Sequence, residues 1–240
     1  MALLLDSLNE IRDAPPESVG GKAKALAALA AQGVDVPRTL CVPTSWYHRY
    51  VTETKLGQRI QFELGRKSFD EMRWEEVWDT ALRIRNLFLN TPLPPSLEHS
   101  LRCAVTRTFG KAPVVVRSSA PGEDSADSSF AGLHESFVNV RGSDDILKHI
   151  RLVWASLWSD GALLYRRELG LAVGESRMAV LVQRLVRGDV SGVIFTRNPN
   201  RPEETVLEAV HGLNAGLVDG TVPPDRWTVD RKTRDRKSVV

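Results

Sequence analysis

The chain has 240 residues, 42% of them hydrophobic and 26% charged, which is enough to build an apolar core in one large domain or two small lobes. Its 32 basic and 30 acidic residues give a formal net charge of +2. A balance this close to neutral excludes a protein-wide field that would attract nucleic acid or anionic lipid. We therefore expect neither partner, and any anion site must be local.

The N-terminus and the cysteines predict a cytoplasmic protein. No window of the sequence approaches the roughly 18 apolar residues that cross a bilayer, and the first residues lack the basic segment and cleavage signal of a secretory leader. Cys41 and Cys103 each lie in an apolar stretch outside any CxxC pattern. This is typical of buried free thiols in a reducing compartment.

The first third of the chain is predicted to be mostly helical. Gly20-Gly21 precedes a run of strong helix formers that begins at Lys22, and Gly33 is placed to end that helix. A short strand is predicted at 38–42. Amphipathic periodicity predicts further helices over residues 45–55, 74–90 and 96–109.

The middle of the chain begins with a predicted pair of strands. A β-branched run at 112–117 predicts a buried strand that carries Arg117 at its carboxyl end. A loop rich in serine and glycine follows, and residues 135–140 then alternate in the manner of a second strand.

A long helical region is predicted after these strands. Either Ser143 or Asp144 could cap it, and it extends to about Leu169. Asp160-Gly161 predicts a break within it.

The last third of the chain changes from helices to strands. Strand-like runs are predicted at 179–183, 190–195 and 205–210. Short spacings between these runs favour antiparallel pairing. The basic segment 231–240 is expected to be a solvated connection or an edge strand. Together the elements predict an α+β fold with a helix-rich first lobe, residues 1–177, and an antiparallel strand-rich second lobe, residues 178–240.

Three separated segments have residue types suited to a polyphosphate. Gly20-Gly21-Lys22 offers backbone N–H groups at a helix N-terminus together with a lysine. It lacks the spacing of a Walker motif, so a purely structural role for the glycines stays open. Arg117 could grip phosphate bidentately or pair with an acid in the following loop. The loop at 128–132 provides small residues and hydroxyl groups that let the backbone approach a ligand closely.

Longer blocks around these segments carry a resemblance to a known protein family. The blocks are GGKAKAL at 20–26, VDVP at 34–37, VVRSSAPGED at 115–124, SFAGLHESF at 129–137, MAVLVQRLV at 178–186 and SGVIFTRNP at 191–199. In residues, order and spacing they resemble the nucleotide-binding domain of the phosphoenolpyruvate synthase and pyruvate phosphate dikinase family. The VRSSA block with the following ED and SFAG is the most specific part of the resemblance.

The resemblance implies an ATP-grasp fold, in which a nucleotide lies between two lobes and a phosphoryl group passes to a histidine on a separate domain. Members of the family include glucan-water dikinases and rifampicin phosphotransferase as well as the two enzymes that name it. ATP and Mg²⁺ are the implied cofactors. The implied partners are the phosphohistidine domain and the acceptor domain of a longer protein.

Several residues of this sequence match functional positions of the family. In chain order they are Lys22, Arg117, Gly132, Ser136, Gln183 and Glu208. The resemblance implies that the first two contact the ATP phosphates and are catalytic, and that the next two belong to a lid over the phosphates. The fifth matches a position beside adenine, and the last matches an acidic position near the nucleoside. Charge neutralisation and positioning supply most of phosphoryl-transfer catalysis, which fits a lysine, an arginine and a backbone cradle.

The sequence also departs from the family pattern. The family domain continues past the equivalent of Val240 to an acidic segment that holds magnesium and a Gln-x-Arg-Pro block, and neither occurs here. The family's phosphorylated motif, a glycine-rich turn followed by Ser-His, does not occur either. We therefore expect a second lobe that is incomplete at its C-terminus, no metal ligands in this chain and no activity of the chain alone. Asn214 and Ala215 replace a family Gly-Glu pair, which puts the role of that segment in doubt.

Two other functions stay open from the sequence. The chain could be a stand-alone, non-catalytic nucleotide-binding or regulatory module. It could also be part of an antibiotic or glucan phosphotransferase of the same fold, because the acceptor is chosen by domains that this sequence does not contain.

Overall fold

A computed structural model of the chain describes residues 4–121, 124–125, 128–129, 135–170 and 176–239. The α-helices are α1 (Leu8–Asp13), α2 (Pro16–Ala31), α3 (Thr44–Glu53), α4 (Leu56–Leu64), α5 (Trp74–Asn90), α6 (Pro95–Phe109), α7 (Ser143–Ser156), α8 (Asp160–Glu168) and α9 (Ala215–Val218), with a 3₁₀ turn at Phe69–Glu71. The β-strands are β1 (Thr39–Val42), β2 (Val114–Ser119), β3 (Asp124–Ser125), β4 (Ser128–Ser129), β5 (Ser136–Val140), β6 (Ala179–Arg184), β7 (Val190–Phe195), β8 (Glu204–His211), β9 (Asp225–Asp230) and β10 (Arg236–Val239).

The chain divides into two compact units, Met1–Leu185 and Val186–Val240. The sequence predicts a lobe boundary after residue 177, whereas in the structure the boundary follows Leu185. The difference arises because β6 forms ladders with β1 and β2 and therefore belongs to the first unit. Sequence order alone groups β6 with the strands that follow it along the chain.

The first unit is built around a sheet of order β1-β6-β2-β5 in which every neighbouring pair is antiparallel. Successive side chains of a strand point to opposite faces, so β6 contributes to two cores. Val180 and Val182 join the larger core, which includes residues of α3, α5, α6 and α7. Ala179 and Leu181 join a smaller core with residues of α1 and α2. Helices thus cover both faces of this sheet.

The helices of the larger core follow their apolar periodicity. α5 occupies the residues predicted for it and buries Ala81, Ile84 and Phe88, which are spaced three or four residues apart. The Phe88 ring centroid lies 6.2 Å from that of Tyr47 and 6.0 Å from that of Tyr50. These aromatic contacts join α5 to α3, and the helices predicted over 45–55 and 96–109 are confirmed as α3 and α6.

The helical region after β5 differs from its prediction in one place. The predicted break is confirmed, but it lies just before Asp160-Gly161, because these two residues begin α8. The side chain of Ser159 accepts a hydrogen bond from the backbone N–H of Ala162 and so caps α8, which puts the break at 157–159.

The start of α7 and two short helices also differ from the sequence reading. Gly142, with a φ of 78°, stands at the N-cap of α7, where we expected Ser143 or Asp144. The sequence does not predict α1 and α4, since helices of 6 and 9 residues hold too few turns to show a clear periodicity.

The two cysteines have different environments. Cys41 is buried, and burial raises the pKa of its thiol to about 12, so it is an inert part of the smaller core. The prediction that both thiols are buried is wrong for Cys103, which is exposed on α6 with its Sγ 3.6 Å from His99 Nε2. An apolar neighbourhood along the sequence did not reveal which face of α6 the residue occupies.

The second unit is an antiparallel sheet of order β10-β9-β8-β7. The pairing of β7 with β8 confirms the predicted antiparallel arrangement, and β10 is the edge strand that was one of the two expectations for 231–240. A Cβ on Gly192 of β7 would lie 2.4 Å from the carbonyl oxygen of Glu208, so a side chain has no room there. Glycine permits the close approach of these two strands.

The arrangement confirms the predicted α+β class, with most helices in the first unit and antiparallel strands in both. Within the described ranges, no helix has the length and apolar character needed to cross a bilayer.

Candidate functional site

A break in α2 creates a second helix N-terminus inside the first unit. Gly20 has φ 79° and ψ 170°, a conformation in which other residues are strained, and the helix resumes at Gly21. A Cβ on Gly20 would also lie 2.2 Å from the carbonyl oxygen of Ser119 at the end of β2. The glycine pair therefore opens a helix, as predicted, and it does so while touching the strand that carries Arg117.

Ser119 supplies the cap that Gly20 lacks. Its Oγ accepts a hydrogen bond of 3.1 Å from the backbone N–H of Ala23 and donates one of 2.7 Å to the carbonyl oxygen of Val19. An N-cap side chain normally comes from the residue before the helix, but glycine has none. The hydroxyl comes instead from a buried residue of β2, which fastens the renewed start of α2 to the end of that strand.

The two hydrogen bonds of Ser119 place the helix that carries Lys22 next to the end of the strand that carries Arg117. Lys22 precedes Ala23 in the first turn of the renewed helix, and Arg117 is two residues before Ser119 on β2. Side chains two residues apart in a strand share a face, about 7 Å apart along it. The positive end of a helix dipole therefore lies where the segments that carry Lys22 and Arg117 meet, a combination that suits an anion.

One lid candidate, Ser136, lies beside the same strand. Ser136 lies directly opposite Arg117 in the β2–β5 ladder and is exposed. Residues opposite each other in an antiparallel pair share a face, with Cβ atoms about 5 Å apart. The hydroxyl of Ser136 is therefore on the Arg117 side of the sheet. Gly132 and the acidic residues of 123–127, which we considered as ion-pair partners of Arg117, lie outside the residues whose side chains the structure describes.

Gln183 belongs to a chain of hydrogen bonds whose direction is fixed. The Oγ1 of Thr39 donates to the carbonyl oxygen of Pro37 at 2.7 Å, so this hydroxyl has no proton left for another partner. Gln183 Nε2 donates to the same Oγ1 at 3.0 Å. Both side chains are buried. The amide nitrogen of Gln183 therefore faces Thr39, and its carbonyl oxygen is the end that remains for a ligand.

Glu208 lies in the second unit, on β8. Its Oε1 forms an ion pair with the Nε of Arg226 at 3.4 Å, across the β8–β9 ladder in which the two residues are partners. Glu208 keeps 22% of its side-chain surface exposed and Arg226 keeps 47%. An ion pair this exposed adds little stability, so Glu208 is free to interact with a ligand at small cost to the fold.

The chain matches a known protein family. Residues 16–240 match the family model described as the AMP/ATP-binding domain of pyruvate phosphate dikinase. The chain belongs to this family. The family resemblance read from the sequence is thereby confirmed.

Individual relatives of the family cover nearly the whole chain. It is 37% identical to phosphoenolpyruvate synthase of Aeropyrum pernix over 221 residues, which is 89% of this chain and 27% of that protein. It is 36% identical to rifampicin phosphotransferase of Streptomyces sviceus over 225 residues, which is 92% of this chain and 26% of that protein. A probable phosphoenolpyruvate synthase of Staphylothermus marinus is 34% identical over 235 residues, or 94% of this chain and 28% of its own length. The chain spans about a quarter of the length of these relatives.

Two residues of this pyruvate phosphate dikinase-type domain were missed by sequence reasoning. Ser119 lies inside the VRSSA block, two residues after Arg117. In a strand this spacing puts both side chains on one face, and it could have indicated that Ser119 belongs to the site. Thr39 gave no local signal, because its partnership with Gln183 depends on β1 and β6 being neighbours across 144 positions of sequence.

Among the residues that the structure describes, no group of three or more His, Cys, Asp or Glu side chains is arranged to hold a metal ion.

Proposed function

We propose that the chain is an ATP-grasp nucleotide-binding domain that holds ATP by its phosphates with Lys22 and Arg117. Within a longer protein it would pass a phosphoryl group from ATP to a histidine on another domain, as the family resemblance implies. The proposal covers the ATP-grasp fold, the roles of the site residues, the histidine and acceptor domains as partners, and a cytoplasmic location. The free thiols of Cys41 and Cys103 agree with that location.

One observation carries the proposal. The Ser119 hydroxyl joins the N-terminus of α2 after Gly20 to the end of β2, which supports a site where the segments that carry Lys22 and Arg117 meet. Phosphoryl transfer needs charge neutralisation and fixed geometry more than it needs covalent chemistry from the protein. A helix N-terminus with one lysine and one arginine supplies both.

The remaining residues would orient the nucleotide. We assign the carbonyl oxygen of Gln183 to the exocyclic amine of adenine, because its amide nitrogen is already used by Thr39. Ser136, opposite Arg117, would help to cover the phosphates together with Gly132. Glu208 would release its weak ion pair with Arg226 and accept hydrogen bonds from the nucleoside hydroxyls. The segment that contains Gly132 and Ser136 would exclude water from the phosphates, and this strengthens every charged contact with the nucleotide.

Magnesium enters this proposal only with the nucleotide. The described residues hold no group of three or more candidate ligands for a metal ion. Mg²⁺ is commonly held by substrate phosphates and water with few protein carboxylates. When bound to ATP it would neutralise phosphate charge, and the steps assigned to Lys22 and Arg117 do not depend on it.

The acceptor of the phosphoryl group is a separate matter. The relatives include proteins named phosphoenolpyruvate synthase and rifampicin phosphotransferase at 37% and 36% identity, which is too small a difference to favour either acceptor. A non-catalytic nucleotide-binding module is the second candidate, favoured by Asn214 and Ala215 in place of the family Gly-Glu pair. Transfer of radiolabel from ATP to the histidine domain, measured in the longer protein, would exclude that second candidate, and ATP binding by the longer protein without transfer would favour it.

The test of nucleotide binding is a calorimetric titration of Mg-ATP into the 240-residue chain and four variants. Arg117→Ala and Lys22→Ala each remove a charged hydrogen-bond donor and should weaken ATP binding by about 1–3 kcal/mol, roughly 5- to 150-fold. Arg117→Lys keeps the charge but loses the bidentate fork, so it should fall between the wild type and Arg117→Ala.

Arg141→Ala is the matched control for these variants. Arg141 is exposed and follows Val140, whose partner Val114 is at the opposite end of β2 from Ser119. It removes one positive charge from the same sheet without touching the proposed corner. Equal affinity for the wild type, Arg117→Ala and Lys22→Ala, with unchanged thermal unfolding, would contradict the proposal.

A further inference from the structure

A second pocket lies in the first unit, away from the corner of Lys22 and Arg117. It has a volume of about 240 Å³ between α3, α4, the turn after α7 and the residues just before β6. Its wall contains Tyr47 and Trp158, which belong to the larger core together with Val182. Lys22 is next to Ala23, which packs in the smaller core on the other face of the sheet. The sheet thus separates this pocket from the proposed phosphate corner.

The aromatic wall of the pocket contains a hydroxyl group that donates to none of the residues that the structure describes. Trp158 Nε1 donates to the phenolic oxygen of Tyr47 at 3.2 Å, which occupies that oxygen as an acceptor. The hydroxyl proton of Tyr47 has no acceptor among the residues that the structure describes, and Tyr47 is only 4% exposed. Burying a donor without a partner is unfavourable, so a ligand that accepts the Tyr47 hydroxyl proton in the pocket would remove this cost.

A buried positive charge stands behind the same wall. Arg166 is 4% exposed and its guanidinium carbon lies 5.9 Å from the centre of the Trp158 ring. Its Nη1 donates at 2.7 Å to the carbonyl oxygen of Leu157, the C-cap of α7, and it forms no ion pair with any described acid. Burial lowers the pKa of Arg166 to about 10, which leaves the side chain charged at neutral pH. A helix C-terminus offers only about half of an elementary negative charge, so part of the Arg166 charge is not balanced.

The rim of the pocket adds to this positive potential. Arg177 and His48 are both exposed lining residues, and Gln61 contributes an amide. None of the described lining residues is an aspartate or a glutamate. The pocket therefore combines apolar aromatic walls, an unused hydroxyl donor and excess positive charge.

We propose that this pocket binds a small organic anion with a flat apolar body and one carboxylate. The carboxylate would accept the hydroxyl proton of Tyr47 and lie in the field of Arg166 and Arg177, while the apolar body packs against Trp158. A cavity of about 150 Å³ holds a benzene ring, and pockets for drug-sized ligands begin near 300 Å³. The volume here, about 240 Å³, fits one ring with its carboxylate.

The probes are benzoate and its neutral analogue benzamide, titrated calorimetrically into the 240-residue chain. Benzoate should bind about tenfold more tightly than benzamide, because only the anion uses the unbalanced positive charge. Tyr47→Phe removes the hydroxyl and keeps the ring, and Arg177→Gln removes an exposed charge that the fold does not need. Each should weaken benzoate binding about fivefold. Arg177→Gln should leave benzamide nearly unchanged, whereas Tyr47→Phe should also weaken benzamide, because its amide oxygen can accept the same hydroxyl proton.

The controls make each outcome decisive. Arg141→Gln removes an exposed arginine that does not line the pocket, and it should bind benzoate as the wild type does. Saturating Mg-ATP should leave benzoate affinity unchanged, because the two sites are on opposite faces of the sheet. Equal binding of benzoate and benzamide, no benzoate binding up to about 10 mM, or wild-type affinity in Arg177→Gln would overturn the proposal.

Discussion

The two compact units bury their sheets to very different extents. In the first unit, Val180 and Val182 pack on one face of the sheet while Ala179 and Leu181 pack on the other. In the described part of the second unit, the buried residues are Val206, Val210 and Asn198. The edge strand β7 leaves Val190 and Ile194 about 60% exposed. The first unit is therefore stabilised by its own core, whereas backbone ladders carry most of the stability of the second.

The largest expected effect is the loss of a large side chain from the first core. Phe88→Ala should lower the free energy of unfolding by about 3–5 kcal/mol, because Phe88 is fully buried against Tyr47 and Tyr50. Val206→Ala, the matched truncation in the second unit, removes two methyl groups and should cost about 1–2 kcal/mol. Urea unfolding measures both. A larger loss for Val206→Ala than for Phe88→Ala would reverse the comparison between the units.

The next largest effect on stability is expected where Gly20 of α2 contacts Ser119 of β2. Gly20→Ala forces a side chain into a backbone region that only glycine adopts readily, at about 1–3 kcal/mol, and it also drives a Cβ against Ser119. Gly33→Ala is the control, because Gly33 also has a positive φ, 84°, but a Cβ there meets nothing within 4 Å. We expect Gly20→Ala to unfold at lower temperature than Gly33→Ala and to lose ATP binding. Equal melting temperatures would show that the contact with Ser119 is unimportant.

A smaller effect is expected at the hydrogen-bonded chain of Pro37, Thr39 and Gln183. Thr39→Val keeps the side-chain volume but leaves the buried Gln183 amide without its acceptor, which should cost about 1–2 kcal/mol of unfolding free energy. The released amide could then turn, so discrimination between ATP and inosine triphosphate should fall. Thr39→Ser restores the hydroxyl and should restore both properties. Full discrimination in Thr39→Val would remove Thr39 as the residue that orients Gln183.

The smallest effect on stability is expected in the second unit. Glu208→Gln and Arg226→Met each break the same half-exposed ion pair and should change the free energy of unfolding by less than about 1 kcal/mol. Only Glu208→Gln should weaken ATP binding, since Arg226 has no assigned contact with the nucleotide. Equal weakening by both variants would mean that the ion pair, rather than a contact from Glu208, matters for binding.

The accuracy of the sequence predictions followed how local each feature is. α5 was predicted to the residue because its buried positions repeat within one helix, and β7 and β8 were paired correctly because they are close in sequence. The position of β6 between β1 and β2 was not predictable, since those partners are remote in sequence and periodicity carries no pairing information.

The candidate site shows the same division between local and remote information. Lys22 and Arg117 could be selected from their motifs and their places at the ends of elements. The Ser119 cap and the Thr39 contact required the sheet order, because each joins residues about a hundred or more positions apart. The unusual backbone conformation at Gly20 has a local signal in the sequence, because a glycine pair precedes the run of strong helix formers.

Amide hydrogen exchange with and without Mg-ATP tests the central claim most directly. The claim is that the renewed N-terminus of α2 and the end of β2 form one anion-binding corner, fastened by Ser119. We expect ATP to slow exchange at residues 21–23 and 117–119, and this protection should disappear in Arg117→Ala. Protection elsewhere in the chain, with these amides unchanged by ATP, would contradict the account.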